Sequence, residues 1–404
     1  MPPANAGDVP ADIGVDVSDV ADWADVAGRA AERFGTPCYV NRVRPIQAAV
    51  RRLELGDGGV RSWLSYKTHP LPRLLEWWLA GGRGVEVVSE REFATAWRLG
   101  CGADQLLVNG PAKHAWLGRY PFPRLRVHFD SPRELEALLP MALDCRWRVG
   151  VRVHAPDERD ARDRRFGGPF GMTAREAVDA LRQLLEAGAD VQSVHFHLGQ
   201  APQDGDAYVR AVAHVARICD AAAFRPRFVD FGGGLPAPPA AESAVLGLWR
   251  GIASARAHFP ELEQVWLENG RFVTDQAVAL AVRVLDVKDR HDGRYLICDG
   301  GRTNQALAAD RGLHPIVVVP DRHGPARLTT VCGPTCMTDD TLGRLPLPSD
   351  IVPGDVLVWM NAGAYHLPWE TRFSQGLCAI VWADGADQLS LVREREPAPD
   401  AGAP

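Results

Sequence analysis

The chain has no CxxC pair and no His/Cys spacing of the zinc-site type. Its eight cysteines, at 38, 101, 145, 219, 298, 332, 336 and 378, read as reduced thiols of a cytoplasmic protein, and no metal site is expected. The opening "MPPANAGDVPADIG" lacks a basic segment followed by an apolar core, so no secretory signal is expected. No apolar run approaches membrane-spanning length. No basic stripe is present: 45 basic residues are set against 51 acidic ones, for a net charge of −6. With arginines scattered among carboxylates, nucleic acid is not expected as a partner. There is no repeat at solenoid spacing. No GxGxxG opens a helix after a strand, which weakens a dinucleotide-binding reading.

What is present is an ordinary globular composition, 46% hydrophobic and 24% charged over 404 residues, enough for two domains. The first dozen residues and the tail "PAPDAGAP" read as disordered. From residue 63 to 268, short β-type runs alternate with helical patterns. The runs are "WLSYK" (63–67), "VEVVS" (85–89), "QLLVN" (105–109), "LRVHF" (125–129), "RVGVRVH" (148–154), "SVHFHL" (193–198), "RFVDF" (227–231) and "QVWLE" (264–268). The clearest helix is 174–187, with Thr173 and Glu176 as a capping box and Gly188 at its exit. Eight strand-helix units predict a TIM (β/α)8 barrel, with an open doubly wound sheet as the competitor. After residue 275 the pattern turns to short β runs between Gly, Pro and Asp turns, which predicts a second, all-β domain. The expected division is 1–42 as a segment joining the β domain, 43–274 as the barrel, and 275–404 as the β domain. "TPCYVN" (36–41) is the part of that segment expected to pair into the β domain.

Barrel chemistry sits where strands end. Lys67 closes the first strand in "SYKTHP", Glu86 lies in the second and His197 closes the sixth. "DFGGGL" (230–235) follows the seventh and "ENGR" (268–271) ends the eighth. A bare GGG is also a common turn. Beside a second glycine-bearing loop at this place, it reads better as a phosphate cradle. A phosphate, a lysine, a carboxylate and a histidine together suit pyridoxal 5'-phosphate (PLP). Lys67 would carry the cofactor, its amine kept partly neutral by burial and neighbouring cations. Glu268 would hold the pyridine nitrogen protonated, and His197 would stack on the ring. His195, two residues earlier, is expected on the opposite face in a structural role.

These motifs resemble the fold-type III PLP-dependent decarboxylases, the group of diaminopimelate and ornithine decarboxylases. The match runs over roughly residues 36–380 through "SYKTHP", "GVEVVSEREF" (84–93), "NGPAK" (109–113), "VHFDSPRELEAL" (127–138), "RFGGPFG" (165–171) and "HFHLG". It continues through "DFGGGL", "ENGR", "CDGG" (298–301), "VCGPTCMTDD" (331–340) and "NAGAY" (361–365). The resemblance implies a barrel plus β domain, the alanine racemase-like architecture, working as a homodimer with two shared active sites. It also implies Lys67 as the attachment lysine, Glu86 as a carboxylate near it, His197 as the stacking residue and Glu268 on the ring nitrogen. Gly233, Gly234, Gly270, Arg271 and Tyr365 would surround the phosphate. Cys336, reaching the other subunit's site, would return a proton to the substrate carbon; Asp340 belongs to the same motif.

The substrate-reading positions depart from the pattern. Ala306 and Asp310 stand where diaminopimelate enzymes carry an arginine and a tyrosine, and Arg311 where ornithine-type enzymes carry an aspartate. Met337 replaces the acid after the cysteine, Gln200 a serine and His69 an asparagine. A distal ammonium would lose both its usual carboxylates, whereas Arg311 suits an anionic or bulky conjugated group. The expectation is a decarboxylase of a modified or acidic amino acid in a specialised pathway of siderophore or antibiotic type. The alternatives are diaminopimelate decarboxylase of lysine biosynthesis, an amino-acid racemase, or a catalytically silent binding protein. The charged run "DERDARDRR" (157–165) is open between a lid and a solvated loop.

Overall fold

The computed structural model describes residues 17–54, 59–155, 168–199, 206–238, 241–305, 314–385 and 388–397. They divide into two compact units. One comprises Met1–Arg42, Val278–Ala362 and Glu370–Pro404; the other comprises Val43–Ala277 and Gly363–Trp369.

The first unit opens with helix α1 (Val17–Phe34) and strand β1 (Cys38–Arg42). β1 lies antiparallel to β10 (Val278–Arg290) and parallel to β16 (Ala379–Gly385). It therefore sits mid-sheet in the order β14-β13-β11-β10-β1-β16-β17. The other members are β11 (Gly293–Cys298), β13 (Ala326–Cys332), β14 (Thr341–Pro348) and β17 (Gln388–Arg393). β12 (Ile316–Val319) pairs with β15 (Val356–Trp359), which pairs with β10. Trp23, Val26 and Ala27 of α1 cover Val40, Ala281, Val358 and Val381. The β-type runs "ALAVRVLDV", "RYLICDG", "PIVVVP", "ARLTTVCG", "DVLVWM" and "LCAIVWADG" fall on β10, β11, β12, β13, β15 and β16, and β14 and β17 have no counterpart among them. They are edge strands with broken burial patterns, and β14 carries Pro346 and Pro348, which only an edge tolerates.

The second unit is a closed barrel of eight parallel strands. They are β2 (Val60–Ser65), β3 (Gly84–Val87), β4 (Leu106–Val108), β5 (Arg126–Phe129), β6 (Arg148–Val153), β7 (Asp190–Phe196), β8 (Phe228–Asp230) and β9 (Gln264–Leu267). Each overlaps one predicted run, and β2 closes on β9 through Val60↔Val265 to Ser62↔Leu267. Around it run α2 (Val43–Leu53), α3 (Pro72–Ala80), α4 (Glu90–Arg98), α5 (Pro132–Asp144), α6 (Ala174–Glu186), α7 (Ala207–Ala221), α8 (Glu242–His258) and the short α9 (Arg271–Thr274). The capping box of Thr173 and Glu176 is formed at α6, and Gly188 leaves the helix in the left-handed region at φ +72°.

Trp63, Leu107, Phe228 and Trp266 form a buried apolar cluster inside the barrel, with the two indoles edge to face at 5.2 Å. Above it the interior turns polar, with His128, Ser193, His195 and Asp230 all buried. Gly150 on β6 makes room for this layer. A Cβ there would collide with the Ser193 hydroxyl and lie 2.7 Å from the Ser193 carbonyl oxygen and 2.8 Å from His128 Cδ2. Gly150→Ala is expected to destabilise the protein by about 1–3 kcal/mol through overpacking. The urea midpoint measures it; an unchanged midpoint would show that the polar layer yields freely.

Candidate active site

β2 stops at Ser65, two residues short of the strand end expected at Lys67, which sits instead on the one-turn 3-10 helix Tyr66–Thr68 that follows. This turn aims the amine back over the barrel mouth. Lys67 Nζ donates to Ser65 Oγ at 2.7 Å and to Glu86 Oε2 at 2.9 Å, and Ser65 Oγ donates to Glu86 Oε2 at 2.7 Å. Glu86 is 1% exposed, while the lysine side chain keeps 40% of its surface open. Burial works against the ammonium, but Glu86 first, then Glu268 and Tyr365, outweigh it and raise the Lys67 pKa to about 12. The expected partly neutral amine is thus corrected. A carboxylate, not a cation, is its nearest charged neighbour, and the free protein holds Lys67 as a cation.

The two glycine loops close on each other because they lack side chains. A Cβ on Gly270 would collide with the Thr68 hydroxyl, one on Gly233 with the Glu268 carbonyl, and one on Gly234, at φ +99°, with the Gly199 carbonyl. Gly233 N–H donates to His197 Nδ1 at 3.1 Å, so the imidazole proton of His197 stands on Nε2. His197 is exposed at the mouth. Tyr365 adopts φ +67°; its N–H donates to the Thr68 carbonyl at 2.9 Å, and Arg271 lies 5.4 Å over its ring. The buried His69 bonds the Gly363 backbone, a second tie between the Lys67 turn and the Tyr365 segment.

Glu268 is buried beyond the end of β9. Asn109 Nδ2 donates to its Oε1 at 2.7 Å, and His195 Nε2 lies 3.6 Å from its Oε2. Burial, then Asp230 and Glu86, raises its pKa well above the carboxylate range. The two histidines of "HFHLG" are not split as expected. Residues two apart on a strand share a face, so alternation gives no ground for the split: β7 carries His195 into the barrel, where it is buried, and ends at Phe196, one residue before His197. Donor atoms of His128, His195 and Glu268 lie within 4.8 Å of one another. The two imidazoles, however, are stacked in parallel, centroids 5.2 Å apart at 11°.

Cys336, Met337 and Asp340 belong to the first unit, on the connection from β13 to β14. Cys336 is exposed, with φ +52°. Asp340 is buried, and its carboxylate accepts from Arg302 N at 2.7 Å and from Thr335 N at 2.9 Å and Oγ1 at 2.5 Å, bracing the loop that presents the thiol. Cβ atoms on Gly301 or Gly333 would collide with this carboxylate. Asp310, Arg311, Ala306, Gln200 and the run 157–165 lie outside the described residues.

Sequence reasoning gave no role to Ser65, Asn109 and Asp230, although each opens a quoted motif, nor to Arg152. One available signal was the scarcity of lysine. The chain has three, at 67, 113 and 288. Lys113 is buried against Glu134 at 2.7 Å and Lys288 pairs with Asp286 on β10 at 3.6 Å, which leaves Lys67 as the amine of the barrel mouth.

A closed parallel barrel with a lysine, a buried acid and two touching glycine loops at one mouth is the architecture of fold-type III PLP enzymes. The family model for the pyridoxal-dependent decarboxylase, pyridoxal binding domain, matches residues 45–275, and the chain belongs to this PLP-dependent family. A diaminopimelate decarboxylase of Deinococcus radiodurans is 30% identical over 375 residues, covering 91% of this chain and 95% of that protein. The L-glutamyl-[BtrI acyl-carrier protein] decarboxylase of Niallia circulans is 25% identical over 373 residues, covering 83% and 85%. Among solved structures, a diaminopimelate decarboxylase from M. jannaschii superposes with a TM-score of 0.81 at 21% identity, covering 91% of this chain and 92% of that one.

Glu86→Gln removes the charge that opposes neutralisation of Lys67. Amine labelling of Lys67 near about pH 9 is then expected to accelerate several-fold in peptide mapping. An unchanged rate would mean that Glu86 does not hold the proton on the lysine.

Proposed function

We propose that the enzyme removes the α-carboxylate of a modified or acidic amino acid, or of an amino-acid conjugate, in a specialised biosynthetic pathway of siderophore or antibiotic type. The observation that carries this reading is Met337. It is 56% exposed beside Cys336, where the family resemblance places an acid, so that point offers an approaching ammonium an apolar side chain. Arg311 in the sequence adds a cation where ornithine-type enzymes have an aspartate. The relative that acts on a glutamyl group held by a carrier protein is a precedent for such a substrate within this sequence range. The second reading is diaminopimelate decarboxylase, favoured by the 30% identity to the D. radiodurans enzyme.

When bound, PLP supplies the electron sink for loss of CO2. Lys67 is its attachment point, oriented by Ser65 and Glu86. Glu268, fixed by Asn109, would hold the ring nitrogen, and His197, pinned through Nδ1 to Gly233, would pack against the ring. Gly233, Gly234, Gly270, Arg271 and Tyr365 line the place for the phosphate. An acid rather than an arginine opposite the ring nitrogen favours decarboxylation over racemisation. Retention of Lys67, His197, Glu268 and Cys336 together argues against a silent binding protein. Cys336 of a second copy, in a homodimer with shared sites, protonates the substrate carbon after CO2 leaves.

CO2 release from a panel of amino acids and their conjugates tests the substrate. Acidic or conjugated substrates are expected to exceed diaminopimelate, ornithine and lysine by about tenfold or more, a gap of ~1.4 kcal/mol. Fast turnover of diaminopimelate alone would place the enzyme in lysine biosynthesis. With the substrate in hand, Cys336→Ala should lower kcat by about 100-fold with little change in KM, the scale of a lost general acid. A raised KM with kcat unchanged would assign the thiol to binding.

A further inference from the structure

The barrel holds a second carboxyl beside Glu268 that the motifs do not account for. Asp230, the last residue of β8, is completely buried. Its Oδ1 accepts the Gly232 N–H at 2.8 Å. Its Oδ2 is buried with no N–H or O–H aimed at it if every acid in the barrel is ionised. The nearest ring nitrogen, His128 Nδ1, is 3.9 Å away, too far for a hydrogen bond. Parallel pairing sets Asp230 opposite Trp266, two residues before Glu268 on the neighbouring strand, and the Glu268 carboxyl is the side chain that hydrogen-bonds it there. Two carboxylates cannot bond each other; a carboxyl and a carboxylate can.

We propose that Asp230 is a positioning residue that shares a single proton with Glu268, so that the pair, not Glu268 alone, sets the proton affinity met by the cofactor's ring nitrogen. The inference rests on the PLP-site reading given above. Every other group facing the pair leaves the proton there. From β5, His128 has Nε2 2.9 Å from Ser193 Oγ, and burial, then Lys113, Arg152 and Arg126, lowers its pKa to about 3. From β7, His195 is lowered further by burial and then Arg152. Both imidazoles are neutral. From β3, Glu86 adds negative charge that is matched by Lys67. From β6, Arg152 is engaged with Asp130 at 3.2 Å. Burial accordingly raises both Asp230 and Glu268 above the carboxylate range, the behaviour of like charges forced together in a low dielectric.

The consequence for the cofactor is electrostatic. A lone buried acid presents one charge to a ring nitrogen. A pair holding one proton carries the same single negative charge spread over two carboxyls, so Glu268 can accept from a protonated ring while Asp230 keeps the proton. Gly150 and the stacked histidines would then serve to keep water and stray donors away from the pair.

The test uses the full-length apoprotein and infrared difference spectroscopy of carboxyl groups. Asp230→Asn keeps the shape and the acceptor for Gly232 N–H but removes the charge. The protonated-carboxyl band of the wild type, assigned by its loss in Glu268→Gln, should titrate at least about one pH unit lower in Asp230→Asn, because Glu268 no longer faces a second acid. A band that titrates unchanged in Asp230→Asn overturns the proposal, showing that burial alone protonates Glu268. So does a wild-type spectrum with no such band at neutral pH. Equilibrium binding of PLP to the same proteins separates the two claims. Wild type that shifts correctly in the infrared but takes up no PLP would sink the cofactor-site reading and leave the carboxyl pair standing.

Discussion

The site is organised by one constraint: a barrel mouth that buries three acids must balance them without water. Glu86, Asp230 and Glu268 are each nearly or fully buried. Lys67 answers Glu86 directly through a 2.9 Å ion pair. No cation reaches Asp230 or Glu268 at contact distance among the described residues, and the two histidines beside them are neutral. A buried acid without a cation takes up a proton. The mouth therefore carries a fixed positive point at Lys67 and, at Asp230 and Glu268, a pair of buried acids short of cations.

The backbone around these points is built to bring them together. The 3-10 turn after β2 directs Lys67 inward. The glycines of "DFGGGL" and "ENGR" let two loops touch where any Cβ would hold them apart. Thr68 and His69 tie the Tyr365 segment to the lysine turn, so a residue nearly three hundred positions away in sequence shares the barrel with Lys67. The first unit uses a related device: Asp340, closed in by Gly301 and Gly333, fixes the loop bearing Cys336.

Much of this was legible in the sequence, and for definite reasons. The eight barrel strands are short apolar runs between helical patterns, and each predicted run overlaps an observed strand. The α6 capping box and Gly188 exit were readable because caps are local chemistry. Lys67, Glu86, His197 and Glu268 stood out by falling at strand ends. What stayed hidden depends on three-dimensional placement. β14 and β17 are half-exposed edge strands without an apolar signature. The charge on Lys67 depends on Glu86 being nearer than any cation, and Asp230 looked like a turn residue ahead of three glycines. Its proximity to Glu268 is a matter of strand register, β8 beside β9.

The central claim is that Lys67 is the covalent seat of PLP. Borohydride reduction of the holoenzyme followed by peptide mass mapping reads this directly, since only Lys67, Lys113 and Lys288 are available. The account predicts the reduced pyridoxyl group on the Lys67 peptide and its loss in Lys67→Ala. Attachment to Lys113 or Lys288, or no attachment in a protein that still releases CO2, would contradict it.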